Sequence, residues 1–322
     1  MGRTELYPLS FTPIYKERVW GGSQLRRALG KDLPGGPTPI GESWELVDLS
    51  QDQSVVRLGA LAGRTLEGVV RELGTELLGP AALDEQRFPL LVKYIDASQT
   101  LSVQVHPDRD VASRLGGRAK SEAWYILDAE PDAALYLGLE PGTTVDDLRA
   151  ALLGDGGVEQ LVTRVPVRRG DLFPVPPGTV HAIGAGILLA EVQQPSDTTY
   201  RVYDWGRVGL DGKPRELHVE HALQSIHLDA RPAGPVREGV VDMGLFRIEV
   251  ATLDPEQVRQ LGGEGPAVVV GLGGEARVDG GSGTAPCGLG DVVLLPHALR
   301  GQGRVDTTSG ARVLVVTFPI SS

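Results

Sequence analysis

Residues 101–108 read Leu-Ser-Val-Gln-Val-His-Pro-Asp. In a strand, side chains alternate between faces, so Gln104 and His106 point the same way. Two donors on one face make half a site for a divalent metal. Glu122, in Lys120-Ser121-Glu122, opens the next apolar run, and His181 follows a Pro176-Pro177-Gly178 turn. Imidazole and carboxylate suit zinc, iron or manganese, and the absence of cysteine from the set argues against a thiolate structural site. Three or four protein donors, with a position left for water or substrate, form the catalytic arrangement. Singly, each histidine has a plainer reading as a hydrogen-bonded turn residue. It is their pairing, each in a strand-and-turn context with a glutamate nearby, that favours a ligand set. His218, His221 and His227 fall on a helical pattern near its polar face and read as solvated.

The elements that must position these residues are mostly strands. Residues 90–95, 101–106, 123–127, 134–139, 171–175, 187–193 and 199–204 form one block of short apolar or alternating runs. Residues 246–251, 267–271, 276–278, 291–295 and 312–318 form a second. Helical patterns are few: 22–29, 66–78, 145–153 and 217–226. In 66–78 the apolar residues Leu66, Val69, Val70, Leu73, Leu77 and Leu78 recur at helical spacing. Before 145–153, Thr143 and Thr144 offer an N-cap, and Asp146 and Asp147 favour the helix dipole. The stretch 230–239, rich in Pro and Gly, is the natural boundary. The expectation is a mainly β protein of two jelly-roll β-barrels with a few inserted helices, residues 1–235 catalytic and 236–322 a degenerate copy. The two blocks share a phrase: Gly170-Asp171, apolar residues, then Pro176, against Gly290-Asp291, apolar residues, then Pro296. Aligned so, the slot of His181 holds Gly301, and the second copy has lost that ligand.

Composition narrows the function classes. Across 322 residues, 42 acidic against 31 basic side chains leave a net charge of −11. A nucleic-acid binder ordinarily carries a basic footprint, and an anionic membrane surface asks for the same. Cys287 is the one cysteine, so no internal disulfide forms. The longest apolar runs, 267–272 and 187–192, fall far short of the ~20 residues of a membrane helix. No apolar signal region opens the chain, and the expected location is cytoplasmic. Only Lys16, Lys31, Lys93, Lys120 and Lys213 occur, which makes each lysine a better functional candidate than usual.

The phrase Gly170-x5-Pro176-x-Gly178-x2-His181 resembles the second cupin motif, although Ala185 stands near where that motif carries Asn. Longer phrases are more specific: Val19-Trp20-Gly21-Gly22, Ile40-Gly41-Glu42-Ser43-Trp44-Glu45, Leu101 through Asp108, Lys120-Ser121-Glu122 and Pro177-Gly178-Thr179-Val180-His181-Ala182. Glu191-Val192-Gln193-Gln194-Pro195, Thr199 through Trp205, and Gly212-Lys213-Pro214-Arg215-Glu216 continue the series. Together the chain resembles type I mannose-6-phosphate isomerases of the short bacterial form, over about residues 11–221. The resemblance implies one zinc ion per chain on Gln104, His106, Glu122 and His181. It implies an active-site arginine at Arg201, an active-site lysine at Lys120 and a pocket-lining acid at Glu191.

The implied reaction interconverts mannose 6-phosphate and fructose 6-phosphate through an enediol. Glu191 is the candidate base, with Lys120 the alternative if burial and zinc depress its pKa. Arg201 and Lys120, with Lys93 or Lys213, could meet the phosphate, and Ser102 could donate a hydrogen bond. Without the resemblance, Arg201 would read as a surface ion pair and Lys120 and Glu191 as a solvated pair. Trp20 and Trp44 read as packing. The implied partners are the sugar phosphates, without nucleic acid or membrane, for a monomer or homodimer. Two other readings compete: a different metal-dependent cupin enzyme such as an iron oxygenase, and a sugar-phosphate-binding cupin without activity.

Overall fold

The computed structural model describes residues 5–80, 87–154, 157–231, 234–255 and 257–318. Among them the strands form sheets of nine, six and five strands, every paired neighbour antiparallel. The six-stranded sheet runs Leu172–Val175, Glu122–Ala129, Ile187–Gln193, Leu91–Ala97, Ile40–Leu46, Ile14–Glu17. The five-stranded sheet runs Tyr200–Tyr203, Val103–Val105, His181–Ile183, Ala134–Leu139, Val162–Pro166. These two face each other over a core that includes Ile95, Trp124, Phe173 and Leu189 from one side and Leu135, Leu137 and Ile183 from the other. The protein is mainly β, as expected, and this pair of sheets is the cupin-like sandwich.

The six-stranded sheet is buried on both faces. Every residue of Ile187–Gln193 and of Leu91–Ala97 is buried, the polar Lys93, Asp96, Glu191 and Gln193 included. Val92, Tyr94, Leu188, Ala190 and Val192 turn outward onto the nine-stranded sheet, where they meet Ile248, Val268, Leu314 and Val316. The alternate positions, Lys93, Ile95, Glu191 and Gln193, turn inward to the cleft. A period of two thus splits one strand into a packing face and a functional face.

The two blocks are less separate than their order suggests. Leu9–Thr12 pairs with Val292–Leu295 of the C-terminal sheet, Leu9 opposite Leu294, and Val55–Val56 extends that sheet through Leu9–Thr12. The N-terminus therefore crosses the 235/236 division. Of the boundary stretch, Pro232 and Ala233 lie outside the described residues.

The shared Gly-Asp phrase builds the same turn twice. Gly170 and Gly290 take φ of 94° and 90°. The Asp171 carboxylate accepts from the Arg168 amide at 3.0 Å, and the Asp291 carboxylate from the Gly288 amide at 3.0 Å. After the proline the copies part. The first runs into the strand His181–Ile183, whereas the second coils into the 3₁₀ turn His297–Leu299.

Helix expectations fare unevenly. Val145–Leu153 forms with the expected bounds, and Thr144 and Asp147 cap each other reciprocally. The single helix expected over 66–78 is two, Leu66–Leu73 and Thr75–Leu78, because Gly74 at φ +48° turns the chain between them. Residues 217–226 shorten to Val219–Ser225.

Candidate metal centre and cleft

A cleft of about 480 Å³ opens between the two sheets of the sandwich. Along its five-stranded side, His181 stands opposite Gln104 and Gln104 opposite Arg201, a row across three strands. Along the six-stranded side, Gln193 stands opposite Glu122 and Glu191 opposite Lys93. His106 follows the strand Val103–Val105 and is buried at 1% exposure.

Both imidazoles are oriented by the backbone. His106 Nδ1 lies 2.9 Å from the Thr198 carbonyl oxygen, and His181 Nδ1 lies 2.8 Å from that of Thr179. A carbonyl only accepts, so each Nδ1 carries the proton and each Nε2 presents a lone pair. The Nε2 atoms converge on Glu122, at 3.4 Å from its Oε2 for His106 and 3.3 Å from its Oε1 for His181. Two donors each ~2.1 Å from a tetrahedral ion lie about 3.4 Å apart, so these separations fit one ion. Glu122 Oε1 has no hydrogen-bond partner, and Oε2 meets the Lys120 ammonium at 2.6 Å, so this buried carboxylate keeps one oxygen open to a cation. Among the described residues, His106, Glu122 and His181 form a cluster able to hold a metal. Gln104 stands beside it, its Nε2 3.2 Å from His181 Nε2. Turned about its last bond, the Gln104 amide offers its oxygen there.

The local electrostatics separate the two glutamates. Burial raises Glu122, but the Lys120 charge, aided by the adjoining His106 and His181 rings, outweighs it and holds its carboxyl well below the usual range. Burial pushes Glu191 up to about 7, against Lys93 and Lys120 and with the help of the Glu122 charge. Burial pushes His106 down to about 3, aided by the Lys120 charge, and lowers His181 as well. Lys120 moves the other way from the sequence expectation. Burial lowers it, but Glu122 and Glu191 outweigh burial and raise it.

Lys120 and Glu191 are buried and 3.4 Å apart, so the solvated-pair reading fails. Lys93 is also buried and meets Glu191 Oε2 at 3.1 Å. Arg201 lines the cleft, its Nε donating to Ser102 Oγ at 3.3 Å and its Nη1 to the Glu216 carbonyl at 2.9 Å. Ser102 Oγ accepts from Arg201, which leaves its hydroxyl hydrogen to donate. Lys213 is exposed and stands outside the cleft, which removes it from the phosphate candidates. Trp20 and Trp44 line the cleft as well as pack. His218 is half-buried in the cleft wall rather than solvated, because its Nδ1 accepts from the Arg201 amide at 3.3 Å. His221 and His227 are exposed, as expected, His227 pairing with Asp108.

Four charged residues of the cleft, Arg18, Glu42, Asp197 and Arg215, were missed. Arg18 donates to Glu42 Oε2 at 2.9 Å, Trp44 Nε1 donates to the same oxygen at 2.8 Å, and Arg215 binds Asp204 at the rim. The available signal was Glu42 and Trp44 at alternate positions of a strand whose other residues are mostly buried.

The family description "Phosphomannose isomerase type I, catalytic domain" matches residues 9–138. The probable mannose-6-phosphate isomerase GmuF of Bacillus subtilis (strain 168) is 42% identical over 237 residues, covering 72% of this chain and 73% of that protein. Mannose-6-phosphate isomerase ManA of the same strain is 38% identical over 308 residues, covering 91% and 94%. The crystal structure of mannose 6-phosphate isomerase from Bacillus subtilis is similar at a TM-score of 0.80 and 30% identity, over 97% of this chain and 99% of that one. Relatives aligned over nearly the whole length, the sandwich and the His-Glu-His cluster agree: the chain belongs to the type I phosphomannose isomerase family.

Proposed function

We propose that this protein interconverts mannose 6-phosphate and fructose 6-phosphate, using zinc held by His106, Glu122 and His181 with Gln104 as a fourth ligand. The observation that carries the reading is the convergence of two backbone-oriented Nε2 atoms on a buried carboxylate whose Oε1 has no hydrogen-bond partner, beside the buried Lys120–Glu191 pair. The nitrogen and oxygen donors and the spacing of a tetrahedral edge suit zinc. Bound there, zinc supplies a Lewis acid that polarises substrate oxygens.

The chain's own residues do the proton work. Glu191, held near neutrality, is matched to taking and returning a proton around pH 7. The C2 proton passes to Glu191, and the C–H electron pair becomes the C1–C2 double bond of an enediol as the aldehyde oxygen gains a proton. The proton on Glu191 exchanges with solvent, and delivery of a proton from Glu191 to C1, with loss of the O2 proton, gives the ketose. Lys120 sets a positive charge beside Glu191, within reach of the negative charge that develops on the substrate oxygens as Glu191 takes the proton. Lys93 fixes the far oxygen of Glu191 and orients it. Arg201 and Arg18 place positive charge on the cleft wall for the phosphate dianion, which local focusing permits on an acidic protein.

The test is turnover of mannose 6-phosphate in deuterated water, followed by NMR. The reading requires formation of fructose 6-phosphate with solvent deuterium entering at C1. Product without deuterium would point to direct hydride transfer, and a folded, zinc-loaded protein without turnover would overturn the function.

A further inference from the structure

On the sequence side of the shared Gly-Asp turn lies a run the isomerase chemistry does not use: Arg168-Arg169-Gly170-Asp171. The fold brings two more arginines to it. The chain at Val236 bonds Leu172 in both directions at 2.9 Å, which brings Arg237 alongside, and Arg237 Nε reaches Asp171 Oδ1 at 2.7 Å. From the C-terminal sheet, Arg312 donates its Nη2 to the Arg237 carbonyl at 2.8 Å and lies over the Tyr125 ring, 5.9 Å from its centroid.

Three guanidinium groups, those of Arg169, Arg237 and Arg312, thus gather where the catalytic sandwich meets the C-terminal sheet. Among the described residues only Asp171 is in ion-pair contact with any of them. Neither Arg169 nor Arg312 has a carboxylate partner, and the buried Nε of Arg312 has no hydrogen-bond partner at all. Like charges gathered around a single carboxylate repel, and a buried donor left unmet is costly.

The floor between them is bare. Gly273 stands opposite Arg312 in the sheet, and a Cβ placed on it would meet Arg169 Nη2 at 4.0 Å. A Cβ on Gly170 would meet both Arg312 Nη atoms and the Tyr125 hydroxyl at 3.9 Å. Two glycines therefore leave contact-distance space ringed by guanidinium donors and one hydroxyl. Arginine forks and a hydroxyl match the oxygens of a tetrahedral dianion.

We propose that this joint is an anion site for a phosphate group, separate from the cleft, made by Arg169 and Arg312 over Gly170 and Gly273 with Tyr125. Its occupant is inorganic phosphate or the phosphate of a small phosphorylated metabolite. Because its two sides come from different sheets, occupancy ties the catalytic sandwich to the C-terminal sheet and raises stability by mass action.

The experiment is thermal unfolding of the full chain in inorganic phosphate against chloride at equal ionic strength, in an Arg201→Ala background that weakens the cleft. The proposal expects a phosphate-specific rise in Tm that persists in Arg201→Ala and falls by at least half on adding Arg169→Gln. Arg169→Gln is the safe variant, since the Arg169 side chain is exposed and makes no hydrogen bond or ion pair in the structure. Arg312→Gln should act alike, and a Tm in chloride equal to its parent's shows it folded. Repeating the titration with fructose 6-phosphate and with a phosphate-free sugar separates the two sources of the group. No rise with any phosphate, or a rise untouched by Arg169→Gln, overturns the site.

Discussion

Lys120 Nζ lies 2.6 Å from Glu122 Oε2, and the same ammonium lies 3.2 Å from His106 Nε2. A metal on His106 and Glu122 would compete with that ammonium for the same two atoms. Lys120 therefore weakens the metal site it adjoins, while its charge serves the Glu191 side of the cleft. Replacing it by Met should lower turnover by about 10²–10⁴-fold and leave zinc affinity equal or tighter. Zinc titration against a chromogenic chelator, run beside the assay, checks both. Loss of zinc with Lys120→Met would show that the lysine supports the metal site.

Arg201 touches none of the proposed ligands except through strand pairing with Gln104. Arg201→Ala should cut kcat/KM by about 10²-fold or more if it meets charge on the substrate, with zinc content unchanged. Metal analysis and kinetics on the same preparation decide. Equal loss of both would make Arg201 a structural residue.

The buried imidazoles set an acid sensitivity in the metal-free protein. His106 titrates near 6.5 when unfolded and is pushed down to about 3 by burial when folded. Between those values the unfolded chain binds the extra proton, so stability falls as pH drops through that window. The slope is up to about 1.4 kcal/mol per pH unit for this one group. Urea unfolding of chelated protein at pH 7 and pH 5.5 should show a larger loss for the wild type than for His106→Gln. Equal losses would mean that His106 does not hold its neutral form in the fold.

Gly178 links the second histidine to the first. Its amide donates to the His106 carbonyl at 2.9 Å, its φ is +81°, and an added Cβ would sit 2.4 Å from the His227 ring. Gly178→Ala should destabilise by more than about 1 kcal/mol and loosen zinc binding. A variant with unchanged urea midpoint and unchanged zinc affinity would contradict this.

Local pattern carried much of this architecture. Residues 187–193 and 145–153 form a strand and a helix with the expected ends, because apolar runs and a reciprocal cap are encoded within the segment. The cluster of His106, Glu122 and His181 was legible because each follows or opens a strand at a marked turn. What was not legible depends on distance along the chain. Nothing local says that Leu9 pairs with Leu294, or that Arg18 meets Glu42. Residues 267–271 and 276–278 are parts of one strand, Ala267–Gly280, whose pairing shifts register at Gly271–Gly273 and Gly274–Ala276. The glycines broke the pattern without ending the strand. Arg304–Thr317 begins eight residues earlier than its apolar end suggested, because polar residues occupy its first half.

The central claim is that His106, Glu122 and His181 hold the ion on which turnover depends. The direct measurement couples formation of fructose 6-phosphate from mannose 6-phosphate to zinc content, before chelation, after it, and after zinc is returned. The account predicts activity that vanishes with the metal, returns with about one zinc per chain, and stays absent in a folded His106→Ala protein that no longer binds zinc. Full activity in the chelated protein, or an active, zinc-loaded His106→Ala, would contradict it.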